Sequence, residues 1–369
     1  MSYIKAITIW KVNLASHVPY YMAGGKTCDS VPSIIIRIDT DDGLSGWGEV
    51  CPIPHYLPAY ADGVLPAITE LAPSLLGDDP VGPERLLAKL DKQLIGHPYA
   101  KSALDIALWD ITAKSAGMPL YQLLGGLQTE KLPLYLSITC TAPETMANMA
   151  REYYSAGIRQ FQVKLGADNN WRQDVERLIA VRDAVGEGPL VYGDWNCGAS
   201  QLDATRAARA VSHLDIMIEQ PCETMESCDA VRQASGLTMK LDENVHDIHS
   251  LLKGYQLGCM DAAAIKLSKF GGLSPARRAR DLCASLGTKM VIEDTWGSDI
   301  ATTAALHLAT ATDEKYILNV CNLADYVSPR LEPRSYTVKE GVVSVSSRPG
   351  LGVSPEPEAL GRPLAEFTL

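Results

Sequence analysis

The chain has 369 residues, a length that predicts two domains rather than one small one. Its hydrophobic content of 46% and charged content of 21% are ordinary for a soluble globular protein. The net charge of −11 argues against nucleic-acid and anionic-membrane partners, because like charges repel.

The N-terminus lacks the apolar core of a signal peptide, and no apolar run is long enough to cross a bilayer. We therefore predict a cytoplasmic protein. Its nine cysteines are odd in number and scattered, without a C-x-x-C pair. This pattern favours reduced, buried thiols over disulfides or a thiolate metal site.

The first segments predict an α+β domain over residues 1–126. Three strands rich in β-branched residues are predicted to form an antiparallel meander; they cover 4–14, 33–40 and 45–50. Helical periodicity follows over 62–76, 82–94 and 98–116.

Two long connections interrupt this domain. Residues 15–32 carry two tyrosines and the pair Gly24-Gly25, and such long loops are usually functional or disordered. We interpret them as a lid over a ligand, with the glycines as its hinge, and a flexible loop is the alternative. Residues 51–60 hold three prolines and Tyr56, which is a candidate for substrate contact.

Strands and helices alternate strictly from about residue 132, which predicts a parallel sheet. Candidate strands cover 133–139, 159–166, 190–196, 215–221, 238–244, 262–268, 289–295 and 316–322. Candidate helices cover 142–157, 171–186, 202–214, 225–236, 245–258, 274–287 and 298–312. Eight such strands predict an α/β fold, a (β/α)7β-type TIM barrel over residues 127–325. Residues 326–369 form a C-terminal segment whose hairpin, 335–347, is predicted to pack on the N-terminal domain.

Five strands end in charged residues, and in a parallel barrel these ends share one face. In chain order they are Lys164, Asp194, Glu219, Asp242 and Lys266. The three carboxylates come from consecutive strands, so their oxygens can meet at one Mg²⁺ or Mn²⁺ ion. We therefore predict a divalent-cation site there.

Other assignments remain open for these residues. A lone aspartate at a strand end is usually a helix cap, but three crowded carboxylates would repel each other without a cation. Glu243 is the alternative third ligand to Asp242. Lysines at strand ends are usually solvated, although beside a metal in a covered cavity they become usable bases.

Two further lysines need separate interpretation. Lys269 is the rival to Lys266, but three residues reverse the side-chain direction along a strand, so we expect it to point away from the interior. Lys240 shares a face with Asp242, and we expect it to be a buried charge partner one layer deeper. By the same alternation, Gln162 and Asn196 accompany the site and are expected to support it.

With this site laid out, the chain resembles the enolase superfamily, in the muconate-lactonizing branch of the mandelate racemase/muconate-lactonizing enzyme group. The motifs are 43–49 (GLSGWGE), 107–110 (ALWD), 123–126 (LLGG), 266–273 (KLSKFGGL) and 349–352 (PGLG), with the five strand ends in family order. The resemblance covers essentially the whole chain.

The resemblance implies that a base removes a proton alpha to a carboxylate while Mg²⁺ stabilises the product. It implies metal ligands Asp194, Glu219 and Asp242 and an acid/base pair, Lys164 and Lys266. Many relatives carry Lys-x-Lys on the second strand, where this chain has Gln162-Val163-Lys164. How the pKa of Lys164 is lowered is therefore open.

Within the group, four motifs resemble enzymes of proline derivatives, which include cis-3-hydroxy-L-proline dehydratases and hydroxyproline betaine 2-epimerases. They are 56–58 (YLP), 96–101 (GHPYAK), 161–164 (FQVK) and 292–297 (IEDTWG). We expect a Mg²⁺-dependent dehydratase of cis-3-hydroxy-L-proline, with Tyr56, Asp294 and Thr295 contacting the substrate and Asp294 holding its ring ammonium.

The same sequence features are compatible with two other functions. A racemase or epimerase of proline, hydroxyproline or proline betaine needs the same two lysines, and a non-catalytic binding barrel is the alternative from another class. We expect a homo-oligomer, because such barrels often assemble.

Overall fold

The computed structural model of the chain describes residues 2–54 and 57–369. Tyr56, one of the candidates for substrate contact, lies outside these described residues. Within them, no helix is both long enough and apolar enough to cross a membrane. All nine cysteines are free, and all except the half-buried Cys197 are buried, as the sequence predicts.

The N-terminal domain is an antiparallel sheet packed against helices. Its strands are β1 (Ile4–Tyr21), β2 (Thr27–Thr40) and β3 (Ser45–Val50). Its helices are α1 (Ala61–Leu71), α2 (Pro83–Gln93), α3 (Pro98–Ser115) and α4 (Leu120–Leu124). In β2, Ile34, Ile36 and Ile38 pack into one core cluster while Ile35 faces another, because successive side chains point to opposite faces. The predicted meander and helices are confirmed.

The predicted long loop at 15–32 is wrong for most of its length. β1 and β2 continue as an antiparallel ladder that still pairs Tyr20 with Cys28 and Tyr21 with Thr27. The turn between them is a short 3₁₀ segment, Ala23–Gly25, in which Gly24 and Gly25 adopt φ of 67° and 70°. Positive φ suits glycine, so this pair forms the tip of a hairpin. We call residues 15–32 the lid hairpin.

The second domain is the predicted parallel barrel. After the short β4 (Leu132–Pro133), its strands are β5 (Leu136–Ile138), β6 (Gln160–Lys164), β7 (Leu190–Asp194), β8 (Ile216–Glu219), β9 (Met239–Leu241), β10 (Ala262–Lys266), β11 (Lys289–Glu293) and β12 (Ile317–Val320). They hydrogen-bond in chain order. The barrel closes where Leu134 pairs with Val320 and the Tyr135 N–H donates to the Val320 carbonyl at 3.2 Å.

Helices surround this barrel as the sequence predicts. They are α5 (Pro143–Ser155), α6 (Trp171–Val185), α7 (Gln201–Ala210), α8 (Met225–Ser235), α9 (Ile248–Leu257), α10 (Leu267–Phe270), α11 (Leu273–Leu286) and α12 (Asp299–Thr310). Only α10 among them has no counterpart in the prediction. It begins directly after Lys266, so the strand does not extend to residue 268 as expected.

The C-terminal segment returns to both domains. Its strands are β13 (Val327–Ser328), β14 (Tyr336–Lys339), β15 (Val342–Val345) and β16 (Ala365–Thr368). The predicted hairpin exists as β14 and β15, but it pairs with β4 at the barrel rather than with the N-terminal sheet, so its predicted placement is wrong. β13 and β16 are the parts that pair with β1.

Buried carboxylates join the N-terminal domain to the barrel. Glu49 at the end of β3 accepts hydrogen bonds from the Ser298 and Ala301 N–H groups, both at 2.8 Å, at the start of α12. On α3, Asp105 accepts from the Ser274 N–H at 2.8 Å, at the start of α11. Helix N-termini favour negative charge, so these contacts fix the N-terminal domain over the carboxyl ends of the barrel strands.

His307 on α12 is fully buried and links the barrel to the C-terminal segment. Its Nδ1 accepts from the Tyr121 N–H at 3.2 Å, and its Nε2 lies 3.2 Å from the Leu351 carbonyl. Burial lowers the pKa of His307 from 6.5 to about 4. The neutral ring is therefore the form that the fold accommodates.

We predict that acid destabilises the fold through His307. Its pKa is lower in the folded chain than in the unfolded one, so its stabilising contribution is complete above pH 6.5 and is lost as the pH falls toward 4. The free energy of unfolding should fall by about 3 kcal/mol more in the unchanged protein than in His307→Asn. Urea unfolding between pH 7.5 and 4 measures this difference. The exposed His246→Asn is the control, and equal slopes for His307→Asn and the unchanged protein would contradict the prediction.

Candidate active site

The predicted strand-end charges meet at one end of the barrel. Pairing places Lys164 opposite Asp194, Asp194 opposite Glu219, and Glu219 opposite Lys240 on successive strands. All five predicted side chains are buried. A cavity opens beside the two lysines and is lined by Lys164, Lys266, Gln162, Asp294 and Thr295 with the aromatic residues Tyr20, Tyr135, Trp296 and Tyr326.

Lys164 and Lys266 face each other across this cavity. They end β6 and β10, which are four strands apart in a closed barrel of eight. Lys164 Nζ lies 2.5 Å from Asp194 Oδ2, and Lys266 Nζ lies 2.6 Å from Asp242 Oδ2. Two amines therefore lie on opposite sides of the cavity.

The three carboxylates are crowded and nearly inaccessible, each 1% exposed. Burial and the neighbouring charges of Asp194 and Asp242 raise the pKa of Glu219 to about 7. Burial also acts to raise the pKa of Asp242, but Lys266 and Lys269 outweigh it and hold that pKa well below its usual range. Cations are thus required to keep this cluster ionised.

The chemistry of this donor set fits a hard divalent cation, since every donor is a carboxylate oxygen. In the side-chain arrangement of residues 2–54 and 57–369, however, no group of three or more His, Cys, Asp or Glu converges to hold a metal ion. Lys164, Lys266 and Gln162 hydrogen-bond to the same oxygens. These contacts would have to rearrange for a cation to bind there.

Of the predictions for Lys240 and Lys269, the structure confirms the first and contradicts the second. Lys240 is fully buried, with Nζ 2.9 Å from Glu219 Oε1 and 5.0 Å from the centre of the Tyr192 ring, so its expected role as a deeper charge partner is confirmed. The expectation that Lys269 points away is wrong. Because β10 ends at Lys266 and α10 turns the chain, Lys269 Nζ reaches Asp242 and contacts its carbonyl at 2.5 Å and Oδ1 at 2.7 Å.

Gln162 and Asn196 both contact the predicted site residues. Gln162 Nε2 donates to Asp194 Oδ2 at 3.1 Å and to Glu219 Oε2 at 2.7 Å. Asn196 accepts from Lys164 at 3.1 Å and donates to Glu243 Oε1 at 3.0 Å. A neutral amide thus bridges two carboxylates.

Glu243 lies beside the cluster rather than within it. Burial and the charges of Asp242 and Asp194 raise its pKa to about 8. Its Oε2 has no hydrogen-bond partner among the residues that the structure describes. Glu243, the alternative third ligand, therefore favours the protonated form near neutral pH, and one of its two oxygens lacks a hydrogen bond from the described residues.

Asp294 and Thr295 follow β11 and lie at the cavity wall. Asp294 Oδ1 accepts from the Ser268 N–H at 3.1 Å and the Thr295 N–H at 2.7 Å, whereas Oδ2 has no partner in the described part of the chain. Burial raises the pKa of Asp294 to about 6. Thr295 Oγ1 lies 3.0 Å from Ser268 Oγ, so its hydroxyl is already engaged.

Sequence reasoning did not assign Tyr135 or Ser137 to this site, and it placed Tyr20 in the lid segment without giving it a contact. Tyr20 comes from the lid hairpin and Tyr135 from the start of the barrel, where the Tyr135 hydroxyl donates to Glu293 Oε2 at 2.5 Å. Ser137 on β5 contacts Gln162. Alternation from Tyr135 to Ser137 on the first strand was the one available signal, since residues two apart share a face.

Comparison with known proteins gives matches over nearly the whole chain. Residues 4–125 match the model of the mandelate racemase/muconate lactonizing enzyme N-terminal domain, and residues 145–359 match that of the enolase C-terminal domain-like family. Cis-3-hydroxy-L-proline dehydratase of Roseibium aggregatum is 38% identical over 367 residues, covering 99% of this chain and 100% of that protein. N-succinyl-L-Arg/Lys racemase of Bacillus cereus is 28% identical over 95% of each chain.

Solved structures agree with these matches. A mandelate racemase/muconate lactonizing enzyme from Roseovarius nubinhibens superimposes with a TM-score of 0.96 at 36% identity, covering 100% of this chain and 99% of that one. An enolase superfamily member from the same organism, complexed with magnesium, gives 0.94 at 36% identity over 100% of both chains.

We predict that Lys240→Met destabilises the protein by about 3 kcal/mol, because it leaves the Glu219 charge buried without its partner. Urea unfolding in EDTA measures this loss. Lys253→Met is the matched control, since Lys253 pairs with Glu226 at 2.8 Å where both side chains are more than half exposed. Its loss should stay below about 1 kcal/mol, and equal losses for the two variants would show that the Lys240 pair is not the stabilising contact.

Proposed function

The chain belongs to the mandelate racemase/muconate lactonizing enzyme family of the enolase superfamily, and on that basis we propose that it is a Mg²⁺-dependent dehydratase of cis-3-hydroxy-L-proline. The observation that carries the proposal is the pair Lys164 and Lys266 on opposite sides of one cavity. The similarity to a dehydratase of this substrate across the full chain supports it.

In this proposal, Asp194, Glu219 and Asp242 hold the cation. When bound, Mg²⁺ would stabilise the negative charge that develops on the substrate carboxylate and would favour a neutral lysine beside it. The raised pKa of Glu219 supports the assignment, because it reflects crowded negative charge that a divalent cation would relieve. Mn²⁺ has the same preference for oxygen ligands and is expected to substitute.

The stereochemistry of the substrate matches two opposed amines. In cis-3-hydroxy-L-proline the hydroxyl and the carboxylate share one ring face, so the alpha proton and the hydroxyl lie on opposite faces. One lysine takes the alpha proton as a base, and the C2–H electron pair forms the C2–C3 double bond. The other lysine donates a proton as the C3–O bond breaks, and water leaves. The enamine then tautomerises to a pyrroline carboxylate, which opens in water to a keto acid.

Asp294 is the proposed partner of the ring ammonium. Its Oδ2 has no hydrogen-bond partner within the described residues, and a buried carboxylate oxygen without a partner is costly. An ammonium group placed there would satisfy it and lower the pKa that burial has raised. Thr295 stands beside it as a second contact in the proposal.

Racemisation at the alpha carbon is the second candidate, because it needs the same opposed lysines. The similarity to an N-succinyl-L-Arg/Lys racemase favours it at the level of the family. The two reactions separate after the first proton transfer: a racemase returns a proton to the opposite face, whereas a dehydratase expels the hydroxyl.

We predict that the protein releases a pyrroline or keto acid from cis-3-hydroxy-L-proline, and that EDTA abolishes the activity while added Mg²⁺ restores it. A coupled keto-acid assay over cis-3-hydroxy-L-proline, trans-3-hydroxy-L-proline, L-proline and proline betaine measures this. Asp203→Asn on α7, whose side chain is 43% exposed, is the control for Asp194→Asn, which should lose more than 100-fold in kcat/KM. Full turnover in EDTA would contradict the mechanism.

We predict that Lys164→Ala and Lys266→Ala each lower kcat by at least 100-fold. In D₂O, NMR should show that the variant missing the base neither exchanges the alpha proton nor forms product. The variant missing only the acid should still exchange the alpha proton. Exchange and inversion at the alpha carbon without loss of water, in the unchanged protein, would replace the dehydratase with the racemase.

A further inference from the structure

A chain of hydrogen bonds runs from the lid hairpin to the proposed metal ligands. The Tyr20 hydroxyl is hydrogen-bonded to Ser137 Oγ. Ser137 Oγ in turn donates to Gln162 Oε1 at 2.5 Å, and Gln162 Nε2 donates to Asp194 Oδ2 and Glu219 Oε2. Tyr20, Ser137 and Gln162 are all less than a tenth exposed, so water competes little for these bonds.

The direction of each bond in this chain is fixed by the carboxylates. An ionised carboxylate only accepts, so the Gln162 amide must present its NH₂ to Asp194 and Glu219. Its Oε1 then faces Ser137, which must donate. Ser137 has one proton, so it accepts from the Tyr20 hydroxyl. Tyr20 is a donor over the working pH range, since burial raises its pKa to about 12.

The position of Tyr20 depends on the docking of the lid hairpin onto the barrel. The Tyr21 N–H donates to Thr139 Oγ1 at 2.7 Å, and the Cys140 N–H donates to the Tyr21 carbonyl at 3.2 Å. At the tip, the Gly24 N–H donates to the Gly166 carbonyl at 3.0 Å.

Two barrel glycines make room for the tip of the hairpin. A Cβ added at Gly198 would lie 2.4 Å from Ala23 Cβ, and one added at Gly166 would lie 3.2 Å from it. A hairpin lifted off this seat would carry Tyr20 away from Ser137.

We propose that Tyr20 is a positioning residue that acts through Ser137 and Gln162 on Asp194 and Glu219, so that docking of the lid hairpin and affinity for the divalent cation are coupled. The proposal rests on the metal ligands of the proposed function. With Tyr20 in place, Ser137 holds the amide in the one orientation that suits the carboxylates. Without it, the Ser137 hydroxyl and the amide can rotate, and the two carboxylates lose a fixed donor. Linkage is reciprocal, so the bound cation also favours the docked hairpin.

The test is Mg²⁺ titration of the metal-free protein by calorimetry, without substrate. Gln162→Leu should weaken binding by about 10- to 100-fold, as loss of a group that holds a metal ligand does. Tyr20→Phe and Ser137→Ala should each weaken it by about three- to tenfold. The double variant should bind no more weakly than Ser137→Ala alone, because both changes break one chain.

Tyr21→Phe is the matched control, since it makes the same change one residue along the hairpin on a side chain that is 39% exposed. Its affinity should stay within twofold of the unchanged protein. Gly198→Ala tests the docking itself and should weaken Mg²⁺ binding as Tyr20→Phe does. Thermal unfolding checks that each variant is folded, and Gly198→Ala decides the question if Tyr20→Phe does not fold.

Affinities of Tyr20→Phe and Gly198→Ala within twofold of the unchanged protein would overturn the coupling. So would losses for Tyr20→Phe and Ser137→Ala that multiply in the double variant, or an unchanged protein that takes up no Mg²⁺. The proposed function fails separately, if the unchanged protein binds Mg²⁺ and shows these losses but dehydrates no hydroxyproline.

Discussion

The site depends on balancing three buried carboxylates that would otherwise repel each other. Ionised groups in a protein interior are costly unless they are paired and hydrogen-bonded. Here, Asp194, Glu219 and Asp242 are each paired with a lysine, and each lysine comes from a neighbouring strand or turn. The parallel register sets Lys164, Asp194 and Glu219 side by side. It therefore pairs the strand backbones and also places a lysine beside the buried carboxylates.

That balance explains why the same residues suit proton transfer. In the proposed function, a divalent cation would replace some of the lysine contacts of this cluster, and the lysines released from those contacts would lie beside the cavity. Gln162 differs from the lysines because it contributes donors without charge. It can stay in contact with Asp194 and Glu219 whether or not a cation adds its charge, and it does not repel that cation as a lysine would.

Much of this arrangement could be predicted from the sequence, because each barrel strand is a short apolar segment and five of these segments end in a charged residue. The alternation of apolar segments and helices located all eight barrel strands, and the charges at Lys164 and Lys266 followed from them. Lys269 was misjudged because its direction depends on where β10 stops, and one turn of helix after Lys266 reverses it. The lid hairpin was predicted as a loop because the residues that pair in its ladder include few of the β-branched residues that favour strands. Tyr20 and Ser137, which are 117 positions apart, meet only through the docking of two domains.

The contact of Glu49 with the start of α12 has a consequence for the evolution of specificity. The loop that carries Asp294 and Trp296 leads directly into α12. At the start of this helix, the Ser298 and Ala301 N–H groups donate to Glu49 of the N-terminal domain. Exchanging N-terminal domains between relatives would therefore also exchange the residue that contacts the start of α12. A chimaera that keeps its barrel but loses this glutamate would leave the Ser298 and Ala301 N–H groups without their acceptor. It would also disturb the segment that we propose contacts the substrate, so new specificities are expected to arise with the two domains changing together.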